Sequence, residues 1–131
     1  MEFYEYLESI ENTDMIWGSN DCYTFVRDWI RAKYNKPEFG IKQDYSDFRQ
    51  ALKINKELKW NDLLREHFNI KSVYFPKDGD IVIFNVGVES ANIFYHDHLW
   101  SIDKILYKTE YKAVKPIPHK IYRICQPLDP F

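Results

Sequence analysis

The chain has 131 residues and a hydrophobic content of 45%, enough to fill one core, so we expect a single domain over residues 1–131. Its 18 basic and 20 acidic residues give a net charge of −2 without a basic run, which argues against nucleic acid as a partner. The chain has no apolar stretch of membrane-spanning length and no basic, apolar export signal. We therefore expect synthesis in a cytoplasm and no membrane as partner.

The first half of the chain has the periodicity of helices. Apolar residues at three- and four-residue spacing predict a short amphipathic helix over residues 3–10, and a loop follows at 12–14. The next helix begins near Cys22. Residues 46–54 and 60–68 then predict two more short helices.

From Val73 onward the pattern changes to that of strands. Residues 76–79 predict a turn, in which we expect Asp80 to fix the entry into a buried strand over residues 80–86. Further strands are predicted at residues 91–95, 99–102, 105–107 and 121–125. Helices followed by a run of strands are typical of an α+β domain, with N-terminal helices packed on a small antiparallel β-sheet.

The residues around Cys22 predict a helix start. Ser19 and Asn20 are good N-cap residues, Asp21 suits the positive end of a helix, and Gly18 interrupts the chain before them. One apolar stripe then follows at helical spacing: Cys22, Phe25, Val26, Trp29 and Ile30. A helix N-terminus lowers the pKa of a thiol, so Cys22 is a candidate nucleophile; alternatively, it is a small hydrophobe that begins the buried face. The helix is expected to end near Tyr34, before a proline and a glycine.

The His-Asp-His run at residues 96–98 is a second candidate group. It predicts a turn between two strands, and alternate strand residues share a face, so His96 and His98 can point together into a cleft. A polar hairpin tip with solvated side chains is the plainer alternative. His-x-His is also a weak zinc pattern, but neither His67 nor His119 has a diagnostic spacing. We therefore expect no metal and no other cofactor.

Two stretches of the chain resemble the NlpC-type branch of the papain-like cysteine peptidases, which cut the peptide stems of bacterial cell walls. They are Trp17-Gly18-Ser19-Asn20-Asp21-Cys22 at a helix start and Gly79-Asp80 before a hydrophobic strand. The compact form of the first stretch is closest to small phage-encoded members, often encoded near tail genes. The resemblance implies a papain-like fold in which the thiolate attacks a peptide carbonyl and an imidazole protonates the leaving amine.

The resemblance also assigns roles to individual residues. It implies that Cys22 is the catalytic nucleophile. The candidates for its catalytic partner come from the His-Asp-His run of this chain, and they are His98 and His96. The residues expected to contact substrate lie just before the thiol: Trp17, Asn20 and Asp21. The substrate implied is a cell-wall peptide.

The chain departs from this family at two places. Tyr23-Thr24 replaces the usual Ser-Gly, and no histidine opens residues 90–95, where the family has its catalytic histidine in a His-Val-Gly-Ile-Tyr pattern. A thiol without an imidazole partner is a poor nucleophile. We therefore expect a phage tail protein with a degenerate peptidase site and a structural or assembly role.

The expected localisation follows from that role. Such a protein is made in the bacterial host cytoplasm, is carried in the virion, and has other virion or tail proteins as partners. The aromatic content of 18% suits a protein that docks on neighbours. The alternative function is an active thiol endopeptidase or amidase that cleaves cell-wall peptides through Cys22.

Overall fold

The computed structural model describes residues 2–41 and 44–128, which form an α+β fold with most helices ahead of the sheet. The helices are α1 (Phe3–Ile10), α2 (Cys22–Tyr34), α3 (Phe48–Glu57), α4 (Trp60–Arg65) and α5 (Tyr111–Val114). The strands are β1 (Phe68–Val73), β2 (Ile81–Asn85), β3 (Glu89–Tyr95), β4 (His98–Asp103), β5 (Ile105–Glu110) and β6 (His119–Pro127). The predicted α+β class is confirmed.

The six strands form one open sheet in the order β1-β6-β2-β3-β4-β5, and every neighbouring pair is antiparallel. Helix α2 packs on β3 and β4. Because strand side chains alternate between faces, the helix side of the sheet contributes Ile81, Ile83, Ala91 and Ile93 to the main core. The opposite face carries a smaller cluster: Val82, Phe94, Leu99 and Ile121.

The structure differs from the predicted elements mainly between the helices and the sheet. The helix predicted over residues 60–68 ends at Arg65, and Phe68 begins β1, a strand that the sequence analysis did not predict. Strand β1 pairs with β6 at the edge of the sheet. The short helix α5 was also not predicted. Within the described part of the chain, no helix is long and apolar enough to cross a membrane.

Asp80 fixes the turn that leads into β2, as predicted. Its Oδ2 accepts a hydrogen bond from the Lys77 backbone N–H at 2.8 Å. The Arg123 guanidinium on β6 also donates to both carboxylate oxygens, with Nε–Oδ1 at 2.9 Å and Nη2–Oδ2 at 2.7 Å. The Asp80 carboxylate, only 3% exposed, therefore ties the turn to β6 through a bidentate ion pair.

Candidate functional site

Cys22 is the first residue of α2, and Asp21 is the N-cap. The N-cap therefore lies later than Ser19 or Asn20, where we predicted it. Asp21 Oδ1 accepts a hydrogen bond from the Thr24 N–H at 2.9 Å, and Thr24 Oγ1 accepts one from the Asp21 N–H at 2.8 Å. This reciprocal capping box satisfies two backbone donors and sets the helix start at the cysteine.

The Asp21 carboxylate is buried at 1% exposure and is fully engaged by the protein's own donors. Its Oδ2 accepts hydrogen bonds from the Gly18 N–H at 2.7 Å and from the Tyr45 hydroxyl at 2.6 Å. Burial, followed by the hydrogen bond to Asp21, raises the pKa of Tyr45, so that its hydroxyl remains a donor. The structure thus places the Asp21 carboxylate inside the fold, where donors of the chain itself bind both of its oxygens.

Gly18 is required by the same network. Its φ is +82°, and a Cβ built there would lie 1.9 Å from the backbone oxygen of Tyr45. Only glycine allows this approach, which brings the Gly18 N–H to the Asp21 carboxylate. The packing of the loop that precedes α2 therefore explains the glycine and the aspartate of the Trp-Gly-x-x-Asp-Cys pattern.

The other residues predicted to contact substrate also have partners inside the chain. The Asn20 amide donates to the backbone oxygen of Asp14 at 2.8 Å and lies 3.3 Å from that of Thr13. The Trp17 ring packs on Phe48, with ring centroids 5.5 Å apart. Asn20 therefore holds the loop that follows α1, and Trp17 lies against α3.

The surroundings of Cys22 stabilise its thiol rather than its thiolate. Desolvation by the surrounding protein raises the pKa of Cys22, although the residue as a whole is exposed, and the negative charges of Asp21 and Asp103 raise it further. The backbone N–H groups of Tyr23 and Cys22 act in the opposite direction but do not outweigh these causes. These groups therefore favour the neutral thiol, which is a weaker nucleophile than the thiolate.

His96 and His98 lie at the turn between β3 and β4, as predicted. His96 and Asp97 both have positive φ, 49° and 63°, as a type I′ hairpin turn requires. The His96 ring stacks on Tyr95 at 3.9 Å, and its Nε2 lies 3.6 Å from Asp78 Oδ2. His98 Nδ1 lies 2.8 Å from the His96 backbone oxygen. The two rings thus make separate local contacts.

The structure does not bring either histidine to Cys22. Asp103, whose charge acts on the thiol, ends β4, whereas His98 begins it. The five residue steps from His98 to Asp103 span about 17 Å at the usual rise of a strand. His67 lies 4.0 Å from Glu38, and His119 lies 2.8 Å from the Tyr111 hydroxyl. Each of the four histidines therefore has a partner other than the thiol.

Three residues of this site were not predicted from the sequence: Thr24, Tyr45 and Asp103. Thr24 was detectable, because an acidic N-cap followed three positions later by a hydroxyl side chain is a local capping pattern. Tyr45 lies 24 residues from Asp21, and Asp103 reaches Cys22 only through the path of β4, so no local signal identifies them. Over residues 2–41 and 44–128, no three side chains of His, Cys, Asp or Glu are placed to hold a metal ion.

The fold and the site define an α+β protein with an open antiparallel sheet and an exposed cysteine at a capped helix N-terminus. A family model described as a domain of unknown function, DUF6950, matches residues 1–114, and the chain belongs to that family. No curated protein and no solved structure is significantly similar to the chain.

Proposed function

We propose that this chain is a papain-like protein of NlpC type whose cysteine site is degenerate, with a structural or assembly role in the tail or tail hub of a phage particle. One observation supports the proposed loss of activity. Cys22 begins a well-capped helix, but the carboxylates of Asp21 and Asp103 are the side chains that act on its thiol, and the contacts of the four histidines are with other groups. An acyl transfer through this thiol would lack both the base that ionises it and the acid that protonates the leaving amine.

The start of β3 supports this proposal. If Tyr95 corresponds to the tyrosine of the family's His-Val-Gly-Ile-Tyr pattern, its histidine position falls on Ala91. Ala91 is 5% exposed and belongs to the same core as Phe25 and Val26 of α2. A methyl group therefore stands on the helix side of the sheet where the proton-transferring group would be.

The structural role rests on the resemblance to phage-encoded members and on the surface of the chain. Tyr74 and Phe75, in the segment between β1 and β2, are 91% and 79% exposed. Adjacent exposed aromatic side chains are typical of protein interfaces. The alternative of an active thiol hydrolase is favoured by the exposure of Cys22 beside two backbone N–H groups that could hold an oxyanion.

An activity assay separates these two functions. Purified protein is incubated with bacterial cell-wall peptidoglycan, and newly released amino groups are measured for the wild type and for Cys22→Ser, with an active cell-wall peptidase as positive control. We expect equal, background release from both forms. Release that Cys22→Ser abolishes would contradict the degenerate site and support the hydrolase.

The tail role has its own test. Phage particles are purified from a strain that carries the gene, and their proteins are identified by mass spectrometry after separation of heads and tails. We expect the chain in the tail fraction at a stoichiometric level. Its absence from particles that contain the other tail proteins would refute the structural role.

A further inference from the structure

A groove of about 750 Å³ lies between α1 and β5. One wall comes from α1 and the loop that follows it, and the other from β5. Leu7, Trp100 and Leu106 line it with apolar surface and also pack against the main core. The groove therefore has a fixed apolar floor.

The rim of the groove is acidic. Glu8, Glu11 and Asp14 line it from the side of α1. Among the described residues, none of the three lies within ion-pair distance of a cation. The basic residue of the lining, Lys108, is placed over the Trp100 ring, 5.3 Å from its centroid. The rim thus has an excess of negative charge.

The wall formed by β5 is a free sheet edge. Strand β5 is last in the strand order and pairs with β4 alone. In the described chain, the backbone groups that face away from β4 along residues 105–110 have no backbone partner. A free edge beside an apolar groove is suited to the addition of an extended segment.

We propose that this groove binds an extended, basic peptide segment of a partner protein. The segment adds a strand to the free edge of β5, its apolar side chains cover Trp100 and Leu106, and its Lys or Arg side chains lie among Glu8, Glu11 and Asp14. The backbone ladder provides affinity, and the acidic rim selects the charge of the partner. This binding depends neither on Cys22 nor on the proposed loss of activity.

A second copy of the chain fits this surface less well. In an antiparallel two-fold pairing of β5 with β5, α1 of both copies lies on the same face of the joined sheet. The rims with Glu8, Glu11 and Asp14 would then add negative charge to negative charge across the interface. A basic segment instead neutralises the rim, so charge complementarity favours a different partner.

Fluorescence anisotropy with a labelled peptide of alternating Lys and Val tests the proposal. We expect this peptide to bind the wild type and Cys22→Ser equally. A peptide with Glu in place of Lys should bind at least about tenfold more weakly, and so should one with N-methyl groups on alternate residues, which cannot complete the ladder.

Charge reversal of the rim provides the matched control. The double change Glu8→Lys, Glu11→Lys should weaken binding of the basic peptide about tenfold, whereas Glu57→Lys, Glu66→Lys, in the other cleft between α3 and α4, should not. No detectable binding, equal binding of the acidic peptide, or no effect of the rim reversal would overturn the proposal. A concentration-dependent dimer in which the β5 amides are protected from hydrogen exchange would also overturn the proposal, because a second copy of the chain would then occupy the edge of β5.

Discussion

The two aspartates in the motif stretches, Asp21 and Asp80, are both buried but are held in different ways. Asp21 is surrounded by neutral donors, which are two backbone N–H groups and the Tyr45 hydroxyl. Asp80 has one backbone donor and the Arg123 guanidinium. One carboxylate therefore depends on local helix capping, and the other on an ion pair between distant parts of the chain.

The difference shows how each of these two aspartates serves the fold. Asp21 fixes where α2 begins and thereby where Cys22 stands, while Asp80 joins the turn before β2 to β6. Each residue type is explained by the fold alone, because an unpaired carboxylate or unpaired donor in either place would be costly. The two aspartates thus support the architecture, and a peptidase activity would need an imidazole partner for Cys22 as well.

Asp21→Ala is expected to have the largest effect, because it leaves three buried or half-buried donors without an acceptor. We expect the free energy of unfolding to fall by about 4 kcal/mol, measured by urea denaturation. The control is Asp47→Ala at the exposed N-cap of α3, where a loss of about 1 kcal/mol is expected. Equal losses would show that Asp21 is only an ordinary cap.

Gly18→Ala tests the close approach of Gly18 to Tyr45 in the Asp21 network. We expect a loss of about 3 kcal/mol, because the added Cβ combines a strained φ with a clash against the Tyr45 carbonyl. Gly79→Ala is the matched control: its φ is +95°, but no atom lies within 4 Å, so strain alone should cost about 1 kcal/mol. If thermal denaturation gives the two variants the same stability, the close approach to Tyr45 is refuted.

Arg123→Ala tests the ion pair that holds the Asp80 carboxylate. It leaves the buried Asp80 carboxylate with one backbone donor, and we expect a loss of about 2 kcal/mol in urea denaturation, less than for a fully buried pair because the guanidinium is partly exposed. Arg123→Lys should recover part of this loss, since it restores the charge without the bidentate geometry. A loss that Arg123→Lys does not reduce at all would argue against the ion pair.

Asp103→Asn is expected to have the smallest effect. Removing this negative charge should lower the pKa of the Cys22 thiol slightly, because Asp103 is one of the groups that raise it. The rate of alkylation by iodoacetamide against pH measures the shift, in a Cys125→Ser background that removes the other exposed thiol. Asp97→Asn, in the turn at the other end of β4, serves as the control and should leave the profile unchanged.

Strong local periodicity explains how much of the fold could be predicted. The helix at Cys22 and the strand after Gly79 have uninterrupted apolar patterns, and both lie where predicted. Strand β1 was missed because its six residues alternate at an exposed edge directly after a helix. A short pattern of this kind is ambiguous until a partner strand such as β6 is known.

The candidate site was less predictable because its members come from distant segments. The turn at His96 could be predicted from local residues, but its separation from Cys22 depends on the direction of β4 relative to α2. The same holds for Asp103 and Tyr45, which reach the start of α2 only through tertiary packing. Local sequence therefore located the thiol but not its neighbours.

The pH dependence of Cys22 alkylation is the most direct test of the degenerate site. We measure it in Cys125→Ser, alone and combined with His96→Ala or His98→Ala. We expect an apparent pKa above the usual value of about 8.5 and no change with either histidine substitution. An apparent pKa well below that value, raised by one of the histidine changes, would reveal a thiolate–imidazolium pair and contradict the account.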